Sequence, residues 1–299
     1  ASDTGSARTV ILSQVTLGTI ATDLMVGFGV RPQAVVGYSL GETAGLFSFG
    51  AWHERDEMLR RVTESELFVS ELTGRCNAAR RAWGVAEDAA VEWSVGMVET
   101  PADRAREVIA ELDRVYLLII NTPDECVIGG DASAVQRAIE MIGCPFHALE
   151  GVPTVHCEVA STVAEAYRNL HVLDTHPPED MRFYSGAWGE AYEVDQDRAA
   201  DSLLAQAIQG VDFPKTVRQA YDDGVRIFLE MGPGGSCARM IHKILDGVPF
   251  RARSISSATQ DEPSAVLRAL GMLIAERVPV DLTQLYPESN PVEEEPGPV

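Results

Sequence analysis

The stretch Val35-Val36-Gly37-Tyr38-Ser39-Leu40-Gly41-Glu42 decides how this chain is read. Val35 and Val36 close a short apolar run, Ala44-Gly45-Leu46-Phe47 opens one that suits a helix, and a Gly-x-Ser-x-Gly pattern lies between them. Strand, sharp turn and helix start is the arrangement that lifts a serine hydroxyl clear of the carboxyl end of a strand. Gly37 and Gly41 fit a turn with no room for a Cβ beside the serine. The helix start leaves backbone N–H groups unpaired, notably that of Leu40, and such groups can hold an oxyanion. A plain Gly/Ser turn shows the same five letters, so the flanking strand and helix carry the prediction of a nucleophile at Ser39.

Working outward, 299 residues with 45% hydrophobic content predict one large domain, or a domain with an insertion, and argue against disorder. A formal charge of −21 argues against nucleic acid or an anionic membrane surface as partner, and a polyanionic substrate would need a local basic patch. Cys76, Cys126, Cys144, Cys157 and Cys237 are odd in number and lack a Cys-x-x-Cys spacing, which predicts free thiols in a reducing compartment. No leader is visible, and the longest purely apolar run, near Val115–Ile120, is too short to span a bilayer. A soluble, cytoplasmic protein without membrane association is expected.

Taken in order, Ala1–Arg8 reads as a frayed end and Thr9–Phe28 as a helix stopped by Gly27 and Gly29. Val30–Val36 enters the strand before Ser39, and His53–Leu72 and Asn77–Trp83 read as helices. Trp93–Val98, Val115–Ile120, Cys126–Gly130 and Pro145–Leu149 read as strands, with helices over Pro101–Leu112 and Ser133–Ile142. That β-α-β-β-α-β order is the split βαβ of a ferredoxin-like subdomain. The fold class is therefore α/β: a parallel-sheet, hydrolase-like core, 1–85 and 151–286, with a ferredoxin-like insertion at 86–150. In the second part Thr162–Leu170, Leu203–Gln209, Pro214–Asp222, Cys237–Leu245 and Pro263–Glu276 read as helices. Met181–Ser185, Arg226–Met231 (expected to be buried) and Phe250–Ile255 read as strands. Residues 287–299, with four prolines and Glu293-Glu294-Glu295, read as an exposed linker of a larger multidomain chain.

A serine needs a base. His53 lies in a helical run and reads as exposed, His147 as a strand residue hydrogen-bonded in the core, His171 and His176 as flanking a polar loop, and His242 as a surface residue in mid-helix. His156 follows a short extended run where the chain re-enters the main sheet, and position alone makes it a candidate base among others. No motif pairs the histidines for a metal, so no metal site is expected. Gly232-Pro233-Gly234-Gly235 lacks the Lys-Ser/Thr of a P-loop and reads better as a tight strand-to-helix turn supporting a pocket wall. Arg60, Arg61, Arg75, Arg80 and Arg81 form the densest basic cluster, either a solvated face with pairs such as Arg60–Glu64 or an anion-binding site.

Phe28-Gly29-Val30-Arg31-Pro32 through Gly41-Glu42 resembles the nucleophile region of malonyl-CoA:acyl carrier protein transacylases, above all the acyltransferase domains of polyketide synthases. Gly50-Ala51, Asn121-Thr122-Pro123, Phe228-Leu229-Glu230-Met231-Gly232-Pro233 and Val280-Asp281-Leu282 with Tyr286 resemble further ordered motifs of that family. Tyr38, Trp52, Arg60-Arg61 and Arg80-Arg81-Ala82-Trp83 are most similar to the acyltransferases of iterative enediyne synthases. The resemblance implies Ser39 as the acylated residue and His156 as its base. It further implies the backbone carbonyl of Gln206 as the group that orients the histidine, and the Leu40 N–H as one oxyanion donor. Tyr38, Val155 and Asn121 would meet substrate. No permanently bound cofactor is implied: malonyl-CoA is the substrate, and the phosphopantetheine belongs to an acyl carrier protein. That carrier, a ketosynthase and the other domains of one synthase are the implied partners.

Three departures stand out. Twenty-five residues after the serine, where the family has the arginine that grips a malonyl carboxylate, this chain has Glu64. Pro153-Thr154-Val155-His156 matches neither the usual malonyl nor the usual methylmalonyl tetrapeptide, although Leu40 leans toward malonyl. The family's Gly-Gln-Gly segment, source of the second oxyanion donor, has no counterpart in these residues. Two rival readings are an α/β-hydrolase or thioesterase using His242 after Glu230, and a non-catalytic docking domain of a synthase.

Overall fold

The computed structural model describes residues 4–256 and 261–286, so the expected linker at 287–299 lies outside the described residues. The first helix, α1 (Thr4–Gly27), takes in residues 4–8, which sequence assigned to a frayed end. Its buried hydroxyls are satisfied within the helix, Thr19 on the Val15 carbonyl (2.9 Å) and Thr22 on that of Gly18 (2.8 Å). The span Thr9–Gly27 has a mean hydropathy of 1.4 and is long and apolar enough, by length and composition, to cross a membrane. A search for purely apolar runs passes over it because Ser13, Gln14 and Asp23 interrupt it. Here its Met25 packs with Phe28 and with residues 269–273 near the end of the chain.

After α1 come β1 (Ala34–Val36), shorter than the expected strand, and α2 (Gly41–Ser48). The helix expected over 53–72 is two pieces, α3 (Arg55–Glu64) and a π-helical turn Leu67–Glu71. Ser65 breaks it by turning extended and accepting from the Leu67 N–H with its hydroxyl (3.1 Å), the competition with helix that serine side chains offer. A short α4 (Asn77–Ala82) ends this part.

The middle of the chain follows the expected order: β2 (Trp93–Val98), α5 (Ala102–Ile109), β3 (Val115–Thr122), β4 (Glu125–Asp131), α6 (Ala132–Ile142) and β5 (Phe146–Ala148). Asp131 caps α6 by accepting from the Ser133 and Ala134 N–H groups, and Gly143 ends it in the left-handed region. The strands lie in the order β5-β2-β4-β3, each antiparallel to its neighbour. Val98, Val115, Ile128 and Val135 form an apolar core of their own beneath the two helices.

The remainder holds α7 (Ala164–His171), β6 (Arg182–Tyr184), β7 (Ala191–Tyr192), α8 (Gln196–Gln209), β8 (Val211–Asp212), α9 (Phe213–Asp222), β9 (Ile227–Glu230), α10 (Ser236–Ile244), β10 (Arg251–Ser254) and α11 (Glu262–Ala275). β1 pairs in parallel with β6, and β9 with β10. Among the described residues these are separate sheets rather than the single parallel sheet expected. Each strand is three or four residues long, and no ladder runs between β1 and β9. β9, expected to be buried, buries only Phe228. Two-residue β8, too short to leave a sequence signal, joins the edge of β3 in parallel and so ties the end of α8 to the middle sheet. The architecture is mixed α/β.

Candidate active site

The turn between β1 and α2 is built on overlap that only glycine relieves. A Cβ on Gly37 would stand 2.1 Å from the Glu42 backbone nitrogen, and one on Gly45 2.4 Å from a Val35 methyl. Gly41 differs from expectation: nothing lies within 4 Å of its would-be Cβ. Ser39 itself sits at φ 50°, a left-handed conformation that costs a non-glycine residue about 1–2 kcal/mol. The turn is closed by Gly41 N–H to Tyr38 O (2.9 Å) and Glu42 N–H to Ser39 O (3.2 Å). The Leu40 N–H donates to no backbone carbonyl among the described residues, and α2 has no side-chain cap. That end of the helix dipole is left for a ligand.

His156 reaches Ser39 from the far half of the chain. Ser39 Oγ lies 2.8 Å from His156 Nε2, and His156 Nδ1 lies 3.0 Å from the Gln206 carbonyl oxygen. A carbonyl can only accept, so Nδ1 carries the proton and Nε2 offers its lone pair to the serine hydroxyl. His156 is the second left-handed residue of the pair, at φ 67°. Burial pushes its pKa below the ordinary histidine value, and the Gln206 carbonyl offsets part of that shift. The imidazole is therefore neutral at neutral pH. The Gln206 carbonyl also accepts from Gly210 N–H (3.2 Å) at the end of α8. The negative end of that helix thus faces the imidazole and would favour its cationic form.

A cavity of about 500 Å³ opens on Ser39, Leu40, Val155 and His156. Its walls include Phe47, Met58, Val62, Phe68, Tyr167 and Leu203, and among the described residues Arg55 is the one arginine that lines it. His171, expected beside a polar loop, is buried at this wall with Nδ1 on the Tyr167 carbonyl (2.9 Å), and burial pushes its pKa down to about 4. Glu64 is exposed and pairs with Arg60, away from the cavity. Tyr38 and Asn121 do not line it either. The Tyr38 hydroxyl donates to Asn121 Oδ1 (2.8 Å), the Asn121 amide to Glu125 (3.0 Å), and both Glu125 oxygens accept from Arg239 (3.0 and 3.1 Å). This chain of bonds runs from the serine turn through β3 and β4 to α10.

The other candidates lie elsewhere. His147 is exposed on β5, 3.6 Å from Glu99, rather than bonded in the core, because β5 is the sheet edge. His53 is exposed and stacks on His176 at 6.3 Å, and His242 Nε2 lies 3.1 Å from the Ala252 carbonyl. Most of the arginine cluster is engaged within the fold: Arg60 and Arg61 on Glu57, Arg81 on Glu71, Arg80 on Asn77. The Gly232–Gly235 turn is not a phosphate cradle, since the Glu230 carboxylate already accepts from the N–H groups of Cys237 (3.1 Å) and Ala238 (2.8 Å). Among the described residues no three His, Cys, Asp or Glu side chains gather as a metal site. Sequence reasoning overlooked Glu42. A carboxylate in the first turn of a helix reads as a solvated partner of the helix dipole, yet Glu42 is 4% exposed and hydrogen-bonded to four groups.

Residues 3–270 match the family model described as acyl transferase domain. The chain is 25% identical over 291 residues to one of the subunits of the polyunsaturated fatty acid synthase of Thraustochytrium sp., covering 91% of this chain and 14% of that protein. It is likewise 25% identical over 281 residues to polyketide synthase GfsB of Streptomyces halstedii, covering 91% of this chain and 5% of that one. The chain thus spans a small part of the curated relatives it matches. The crystal structure of the acyltransferase domain from the second module of the salinomycin polyketide synthase superposes with a TM-score of 0.76 at 22% identity, covering 97% of this chain and 65% of that one. The acyltransferase domain of an iterative polyketide synthase in enediyne biosynthesis gives 0.70 at 20%, covering 95% and 70%. At these identities the two structures establish likeness of fold.

Proposed function

Because the chain belongs to the acyl transferase domain family, and so is an acyltransferase, we propose that it loads a malonyl unit from coenzyme A onto an acyl carrier protein through an ester on Ser39. The observation that carries this reading is the Ser39–His156 contact at 2.8 Å with the histidine held by the Gln206 carbonyl. His156 Nε2 takes the hydroxyl proton as Ser39 Oγ attacks the thioester carbonyl. The oxyanion is held by the Leu40 N–H, then collapses and expels the coenzyme A thiolate, which recovers the proton from His156. In the second half the phosphopantetheine thiol gives its proton to His156 and attacks the ester, and Ser39 leaves with that proton. This is a dyad with a carbonyl as third member. No bound cofactor takes part.

Residues 86–150 are best read as a ferredoxin-like subdomain inserted in a hydrolase-like core formed by 1–85 and 151–286. It contributes Asn121, whose bond to Tyr38 steadies the serine turn from the side. Glu64 stands away from the cavity, and among the described residues Arg55 on its wall is the cation available to a malonyl carboxylate. Val155 lines the acyl side. The carrier protein and the ketosynthase would be domains of the same synthase, in keeping with relatives that are polyketide synthases many times longer than this chain. Tyr38 in place of the usual histidine favours the iterative enediyne type within that group. The thioesterase reading is disfavoured because Glu230 caps α10 and His242 bonds Ala252, so neither serves Ser39.

Intact-protein mass after exposure to malonyl-, acetyl- and methylmalonyl-CoA tests the proposal. A gain of one malonyl group that is lost in Ser39→Ala is the expected result. No adduct with any of the three would overturn it and favour a docking domain.

A further inference from the structure

Glu42 is buried without a counter-ion: no ion pair to it forms among the described residues. Its two oxygens are instead surrounded by hydrogen-bond donors from three segments. Oε1 meets the hydroxyls of Ser202 and Tyr192 (3.3 Å for the tyrosine), and Oε2 accepts from Gly186 N–H (3.0 Å) and from the Gln206 side-chain amide (2.9 Å). Ser202 and Gln206 are one turn apart on α8, so a single carboxylate grips that face of the helix. Glu42 is also three residues after Ser39, and its own N–H closes the serine turn. The nucleophile and the carbonyl that orients its base are therefore joined through one side chain.

We propose that Glu42 is a positioning residue of the acyl transfer: by holding the Gln206 amide it fixes the Gln206 carbonyl where His156 Nδ1–H donates to it. The inference rests on the acyl-transfer reading of Ser39 and His156 and adds the part that sets their geometry. A wandering carbonyl would free the imidazole to rotate or to place its proton on Nε2, where it cannot act as base. Burial alone would not require a carboxylate here, because burial disfavours charge, and Glu42 is indeed raised above the usual carboxylate range despite its donors. The other ionisable groups facing Glu42 are Tyr167 from α7 and Tyr192 from β7, both pushed above the usual tyrosine range by burial. His171, on the wall of the same cavity as His156, titrates near 4.

The test uses Glu42→Ala, Gln206→Ala, the double variant and Glu42→Gln, followed by intact mass under single-turnover conditions across pH. Two reagents are used, malonyl-CoA and a serine-directed sulfonyl fluoride that needs no acyl recognition. Glu42→Ala is expected to lower the plateau rate at Ser39 by about 10- to 100-fold, the scale of a misplaced catalytic group. Its pH midpoint should move down, because the Gln206 carbonyl that favours protonated His156 is less firmly held. Glu42→Gln should recover most of the rate, since its carbonyl can accept from Gly186 and Gln206 while its NH2 meets the two hydroxyls. The double variant should be no slower than the slower single one, as two residues acting through one contact are not additive.

Losses that multiply in the double variant would overturn the inference. So would a rate that merely follows the folded fraction with an unmoved midpoint, or wild-type kinetics in Glu42→Ala. A wild-type protein that takes sulfonyl fluoride but not malonyl-CoA would sink the substrate reading alone, and the variants would still decide this one. Inertness to both reagents would overturn both.

Discussion

The chain makes the same turn twice. A short strand runs into a glycine-containing turn and then a helix at β1–α2, and again at β9–α10. At the second turn the Glu230 carboxylate reaches forward and occupies the helix N–H groups. At the first, the acidic side chain of the opening helical turn, Glu42, points inward to α8 instead, and the Leu40 N–H finds no backbone acceptor among the described residues. One helix N-terminus is filled by its own protein and the other is left for a ligand. Strand-turn-helix geometry alone is common to both turns; what sets the first apart is an open helix N-terminus beside a serine and a histidine, the arrangement on which the proposed site rests.

The strongest way to break the comparison is at the first turn's chemistry. Ser39→Ala and His156→Ala should each reduce acyl loading by about 10³-fold or more, and Glu230→Ala should leave it standing. Quench-flow loading with radiolabelled malonyl-CoA would check all three. A Ser39→Ala protein that still forms a covalent adduct would transfer the chemistry elsewhere. Next comes the backbone. Gly37→Ala forces a Cβ to 2.1 Å from a backbone nitrogen and should cost more than about 4 kcal/mol, or abolish folding, whereas Gly41→Ala meets open space and should stay within about 0.5 kcal/mol. Urea midpoints give the contrast directly, and equal losses at both positions would refute the account of the turn.

Acid sharpens the picture further. His156 and His171 are both held below the ordinary histidine value by burial. The unfolded chain therefore takes up protons that the folded one refuses. Stability is fully present above about 6.5 and is lost as pH falls from there toward the folded values, near 4 for His171. Replacing His171 with Leu should flatten that loss in urea titrations at pH 7 and 5. Loading, which needs neutral His156, should have its pH midpoint below about 6.5, and a midpoint above it would contradict the burial argument. A modest effect is expected at the second turn: Glu230→Ala removes the carboxylate that accepts from the first helix N–H groups and should lower stability by about 1–2 kcal/mol.

The fold was largely legible where period and punctuation agree. The strand Trp93–Val98 falls on its expected limits because a short apolar run, with Val95 and Val98 packed in two different cores, lies between two turn regions. The helix over 53–72 misled, since its apolar spacing runs on through Ser65 while the serine hydroxyl competes for the backbone. β7 and β8 could not be read, because two residues have no period. In the candidate site the strand-turn-helix context pointed to Ser39, and family resemblance rather than spacing singled out His156 and Gln206. Glu42 went unnoticed for a physical reason: its partners Gly186, Tyr192, Ser202 and Gln206 lie 144 to 164 residues away.

By itself the sequence determined the turn at Gly37–Gly41 and the order of strands and helices over 93–148, because each depends on side chains within a few residues of one another; the start of α8 at Gln196, seven residues before the expected Leu203, escaped it. Only the tertiary structure decided which histidine meets Ser39, that Glu64 faces away while Arg55 lines the cavity, and that a buried carboxylate joins the serine turn to α8. Those outcomes depend on where distant segments come to rest against each other. Packing sets that, and local propensity carries no record of it.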